Sequence, residues 1–134
     1  MLFRSDELLA GSDFVSLNCP LSDETAGMIA APQLARMRPS AILINMSRGP
    51  VVDTQALLDA LSNGTIAAAG LDVTDPEPLP RDHPLLSLDN VVITPHLGSA
   101  SNRTRLRMME MSIENLHAGL AAKALPYPVS AAST

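Results

Sequence analysis

The sequence predicts an α/β protein built on a parallel sheet. Three observations carry that prediction. Short apolar runs alternate with helical segments along the chain, the pattern of strands joined by helical crossovers. One of those runs, Ala41–Asn45, is uninterrupted, as expected for a strand covered on both faces. Polar and glycine residues follow each run at its carboxyl end, where ligands bind in such sheets.

The elements follow in order. Phe14–Asn18 is a short β-prone run ending at Cys19-Pro20. Pro32–Arg38 reads as one or two helical turns, with proline first, where its missing N–H costs no hydrogen bond. Ala41–Asn45 is the second strand. Asp53 is placed to cap a helix over Thr54–Ser62, because its carboxylate can accept an orphan N–H, and Gly64 is placed to stop it. Ala67–Leu71 is a strand of small residues. Pro76, Pro78, Pro80 and Pro84 make Asp75–Pro84 a stiff loop rather than a linker between domains. Val91–Thr94 is the fourth strand, ended by Pro95. From Ser101 to about Ala122 the chain is helical. Leu106, Met109, Ile113, Leu116 and Leu120 form one apolar stripe at helical spacing, with Arg103, Arg107, Glu110 and Glu114 off it. Residues 125–134 are rich in Pro, Ala and Ser and are expected to be a flexible tail.

Composition narrows the function. A chain of 134 residues can bury one sizeable core, and 46% hydrophobic against 17% charged residues suits a globular sheet. The net charge of −5 and the lack of a basic run argue against nucleic acid and anionic membrane as partners. Aromatics make up only 2%, too few for base or sugar stacking. No apolar run approaches the roughly 20 residues of a membrane span, and Met1–Glu7 shows no signal-peptide core. Cys19 is the only cysteine, so no internal disulfide forms. A cytoplasmic protein is the expectation. His83, His96, His117 and Cys19 show no metal-ligand spacing. The Met108, Met109 and Met111 cluster is expected to serve packing.

Four residues carry chemistry at the predicted ligand edge. Arg48 offers a planar fork of donors that fits a carboxylate in two-point fashion, and Gly49 beside it permits close backbone approach. His96 can give a proton to a carbonyl oxygen or take one from a hydroxyl. Glu77 would orient the ring and favour its charged form. Asp72 could accept a hydrogen bond from a carboxamide. Together they fit interconversion of a 2-oxo acid and a 2-hydroxy acid. No side chain supplies hydride, so a cofactor must.

The motifs Asn45-Met46-Ser47-Arg48-Gly49, Gly70-Leu71-Asp72-Val73, Pro76-Glu77-Pro78-Leu79 and Pro95-His96-Leu97-Gly98-Ser99 resemble the signatures of the D-isomer-specific 2-hydroxyacid dehydrogenases. The finer text, with Asp72–Pro80, His83–Leu86, Gly98–Ala100 and Arg103–Arg105, is most similar to the glyoxylate/hydroxypyruvate reductase branch. The resemblance runs from about Phe14 to Pro126. It implies that Arg48 binds and polarises the 2-oxo acid, that His96 is the acid/base, and that Glu77 is its partner. It implies that Asp72 contacts the carboxamide of NAD or NADP, and that Pro20, Met46, Gly98 and Ser99 line the cofactor or substrate site. It also implies a homodimer formed through the cofactor domain.

One feature of that family does not occur in this sequence. None of the 7 glycines falls in the G-x-G-x-x-G spacing that seats a pyrophosphate on a helix N-terminus. The fold expected from the resemblance is therefore the second half of a Rossmann-type doubly wound parallel sheet plus a C-terminal crossover helix. Residues 1–100 would be the C-terminal half of the dinucleotide-binding domain, and residues 101–124 the helix returning towards a substrate domain. On this expectation the chain is a portion of a longer reductase and is inactive in isolation. Two alternatives stand beside it. One is a non-catalytic interaction module on the same fold, as in the superfamily's co-repressors; the other is an inactive truncated gene product.

Overall fold

The computed structural model describes residues 5–129, which form two compact units that divide between His96 and Leu97. The first unit runs α1 (Ser5–Gly11), β1 (Phe14–Leu17), α2 (Ala31–Leu34), β2 (Ile42–Asn45), α3 (Thr54–Ser62), β3 (Ala68–Leu71) and β4 (Val91–Ile93). Single 3-10 turns occupy Gly49–Val51 and Pro84–Ser87. The sheet is four-stranded, in the order β1-β2-β3-β4, and every pair is parallel. Phe14 stands opposite Ile42, Ile42 opposite Ala68, and Ala69 opposite Val91. Parallel strands end on one edge, and that shared edge gathers the polar loops.

Strand crossovers in parallel sheets are right-handed, so successive crossovers in one direction put their helices on the same face. Burial follows this rule. Val15, Leu17, Leu43, Ala69 and Leu71 are buried in one cluster with Leu34 of α2 and Leu57 and Leu61 of α3. The intervening strand residues point the other way, because side chains alternate along a strand. Phe14 is 66% exposed and Val92 67%, while Ile42 and Ile44 are half-buried. The expectation that β2 is covered on both faces is corrected here. Within residues 5–96, helices cover only one face of the sheet.

The helix ends are set by local chemistry. Asp53 caps α3 as its sequence position predicts, accepting the Ala56 N–H at 2.9 Å, a contact that contributes about 1 kcal/mol. Gly64, at φ +68°, takes the left-handed position just past the last turn. Helix α2 begins one residue before Pro32 and lasts a single turn. The Gln33 side chain reaches back to the Ala30 N–H at 3.2 Å and fixes that start. Helix α1 is too short to show a helical period in sequence. Leu9 buries it, and its segment is tied to the chain after α2 by the pairs Arg36–Asp6 and Arg38–Asp13.

The second unit is dominated by α4 (Asn102–Leu120), capped by Ser101, whose Oγ accepts the Thr104 N–H at 3.1 Å. None of its residues is buried. The stripe of Leu106, Met109, Ile113, Leu116 and Leu120 is exposed along its length. Met108 and Met109 are exposed with it rather than packed. Of the tail expected over residues 125–134, residues 130–134 lie outside the described residues. Asn115 donates to the Tyr127 carbonyl at 2.7 Å and accepts its N–H at 2.9 Å. Arg107 donates to the Tyr127 hydroxyl at 2.6 Å and stands 5.2 Å from the ring centre. The Tyr127 hydroxyl and then Glu110 raise the pKa of the Arg107 guanidinium. Among the described residues, no helix is long and apolar enough to cross a membrane.

Candidate active site

The carboxyl edge of the sheet holds two clefts. Asn45 ends β2 and is buried. Its Oδ1 accepts the Ser47 N–H at 3.0 Å and the Ser47 hydroxyl at 2.8 Å, and its Nδ2 donates to the Arg48 carbonyl at 3.0 Å. These bonds fold residues 46–48 into a tight turn. The Met46 N–H donates to the Leu17 carbonyl at 3.1 Å, which sets this turn beside the end of β1. Arg48 is left exposed, with Nη1 donating to the Ser47 carbonyl at 2.7 Å. Pro20, Met46 and Arg48 come together with Asn18 and Cys19 around a cleft of about 560 Å³. Cys19 is half-buried against the core.

Asp72, Glu77 and His96 line the second cleft, of about 490 Å³. Asp72 follows β3 and is 5% exposed. Its N–H donates to the Asn45 carbonyl and its carbonyl accepts the His96 N–H, both at 3.0 Å. Its carboxylate accepts the Thr94 hydroxyl. Burying that carboxylate without donors would cost several kcal/mol, so Thr94 is part of what lets it sit there. Glu77 Oε1 lies 2.7 Å from His96 Nδ1. Residues 19 positions apart in the chain are thus in hydrogen-bond contact.

The energetics of this pair point away from a stabilising role. The Glu77 and His96 side chains are 40% and 44% exposed, and an exposed ion pair contributes about 0–1 kcal/mol. His96 has φ +54°, a left-handed backbone that costs an L-residue about 1 kcal/mol or more. The pair does not offset its own strain. The pair holds an imidazole at the cleft with Nδ1 engaged, an arrangement compatible with proton transfer.

Gly98 and Ser99 belong to the second unit, where Ser99 lines a groove on α4 with Arg105, Met108 and Met109. His83 Nδ1 accepts the Leu85 N–H at 3.2 Å and caps the turn that follows it. Among the described residues, no group of His, Cys, Asp and Glu could hold a metal ion. Asn45 and Thr94 shape the two clefts but stand outside the chemistry read from sequence. Asn two residues before Ser is an Asx-turn pattern that signals the first. Thr94 has no local signal, because only the fold brings it to Asp72.

Residues 2–98 match the family profile described as D-isomer specific 2-hydroxyacid dehydrogenase, NAD binding domain. Over 115 residues the chain is 58% identical to glyoxylate/hydroxypyruvate reductase B of Serratia proteamaculans, covering 86% of this chain and 35% of that protein. The chain thus spans about 35% of the length of this curated relative. The TT0316 protein of Thermus thermophilus superposes with a TM-score of 0.90 at 51% identity, over 95% of this chain and 40% of that one. An NADPH-dependent glyoxylate/hydroxypyruvate reductase from Sinorhizobium meliloti, solved with NADP and malonate, superposes with a TM-score of 0.87 at 37% identity. It covers 94% of this chain and 39% of the other.

Proposed function

The chain belongs to the D-isomer specific 2-hydroxyacid dehydrogenase family, and we propose that it forms the proton-transfer and cofactor-facing part of a glyoxylate/hydroxypyruvate reductase. The observation that carries this reading is the Glu77–His96 contact of 2.7 Å in a cleft shared with Asp72. With Nδ1 engaged by Glu77, Nε2 is the ring nitrogen that exchanges a proton with the substrate oxygen. Arg48 pairs with the substrate carboxylate through its exposed guanidinium. Asp72 accepts a hydrogen bond from the carboxamide of NAD or NADP, and Pro20 and Met46 line the first cleft against the cofactor. The donor set suits that half of the dinucleotide: a buried acceptor at a strand end beside an exposed acid–base pair. When bound in its reduced form, the nicotinamide would supply a hydride for C2 of the 2-oxo acid, and His96 would give a proton to the carbonyl oxygen.

The same reading takes residues 1–100 as the C-terminal half of the dinucleotide-binding domain and residues 101–124 as the returning helix. It places Gly98 and Ser99 at the cofactor and substrate, the protein in the cytoplasm, and a second copy as its partner.

A chimera tests the reading. Joined in register to the part of the Serratia proteamaculans reductase that it does not match, the chain should oxidise NADPH or NADH with glyoxylate or hydroxypyruvate. A folded chimera that binds NADPH and turns over neither acid would refute the assignment.

A further inference from the structure

The Glu77 loop is held from behind by residues outside the acid–base pair. Gly49 is buried where the chain turns out of Arg48, against the Thr74–Asp75 peptide. A Cβ at position 49 would lie 1.9 Å from the Thr74 carbonyl oxygen, 2.2 Å from its carbon and 2.7 Å from the Asp75 nitrogen. Those are backbone atoms, so no side chain can yield to relieve the clash. The glycine is required here for space. Thr54, the first residue of α3, donates its hydroxyl to the Asp75 carbonyl at 2.9 Å. The Thr74 hydroxyl donates to the Pro76 carbonyl, also at 2.9 Å. Residues 74–76 are therefore pinned on both sides, and Glu77 follows directly.

We infer that Gly49 and Thr54 are positioning residues for the Glu77–His96 pair: by clamping the Thr74–Asp75 peptide they set where Glu77 stands. The inference rests on the acid–base role given to that pair above. Carbon and oxygen need about 3.5 Å between them, so a methyl at position 49 forces the peptide away by about 1 Å or more. Moving Glu77 by about 1 Å takes its contact with His96 out of hydrogen-bond range. The clamp also joins the two clefts. Asn45 fixes the Arg48 turn from inside the sheet, and Gly49 at the end of that turn seats against the loop that carries Glu77. A carboxylate anchor and a proton carrier must keep their separation to act on one substrate, and this seat holds it.

The tautomer of His96 reads the clamp directly. A carboxylate on Nδ1 holds the neutral ring as its Nδ1–H form, and nitrogen NMR of the labelled 134-residue chain distinguishes the two forms. Glu77→Ala supplies the control for a lost partner. Gly49→Ala should lose the Nδ1–H preference down to the level of that control. Thr54→Val should lose part of it, and Thr54→Ser should restore it. The rings of His83 and His117 should not change in any variant. A folded Gly49→Ala chain with the wild-type tautomer would overturn the inference. Should Gly49→Ala fail to fold, an unchanged tautomer in Thr54→Val overturns it instead. A Glu77→Ala control identical to wild type removes the pairing and the inference with it. The measurement uses neither cofactor nor substrate, so a chimera without turnover counts against the reductase reading alone.

Discussion

At His96 one backbone torsion and one hydrogen bond fix the ring. The left-handed backbone turns the side chain out of the strand end, and Glu77 takes Nδ1. In the chimera, His96→Gln removes the proton carrier but leaves the carboxylate anchor. We expect kcat to fall by about 10²–10⁴-fold, with little change in KM for the 2-oxo acid. Arg48→Gln removes the anchor, so its loss should show mainly as a raised KM. Steady-state kinetics on both variants separate the roles. Matching kinetic profiles for the two would show that one or both assignments are wrong. Asp72 illustrates a different dependence: its buried carboxylate relies on the Thr94 hydroxyl, a residue 22 positions away.

At the scale of elements, caps and turns decide where helices stop. Helix α4 ends with the Lys123 N–H on the Ala118 carbonyl at 2.9 Å and the Ala122 N–H on the Gly119 carbonyl at 3.1 Å. This is the Schellman arrangement, which calls for a left-handed residue past the cap. Ala122 occupies that position at φ +51°. Glycine adopts that backbone without the Cβ penalty, although its greater freedom when unfolded offsets part of the gain. Ala122→Gly should therefore stabilise the last turn by about 0.5–1 kcal/mol. Amide hydrogen exchange over residues 118–123 should slow about two- to five-fold. Faster exchange in that turn would show that the left-handed residue costs nothing there. The ends of α3 were visible locally, because Asp53 and Gly64 act on the residues beside them.

At the scale of the whole molecule, the packing of the sheet carries the stability of the first unit. Leu43 is fully buried at its centre, while Phe14 on the opposite face is 66% exposed. Leu43→Ala should destabilise the chain by about 2–5 kcal/mol, and Phe14→Thr by no more than about 0.5 kcal/mol. Urea unfolding of both variants measures the difference. A Phe14→Thr cost equal to that of Leu43→Ala would mean the outer face is covered after all. By itself the sequence determined the alternation of strands and helices, the cap and stop of α3, and the residue types at the carboxyl edge. Those signals are local: a period of two or 3.6 residues, a carboxylate beside orphan N–H groups, a glycine after the last turn. Only the tertiary structure decided which face of the sheet is buried, that the stripe of α4 stays exposed, and that Glu77 meets His96 while Thr94 meets Asp72. An apolar residue reads the same on either face of a strand, and residues about 20 positions apart leave no mutual pattern in one chain. Crossover handedness chose the first, and strand register brought the second together.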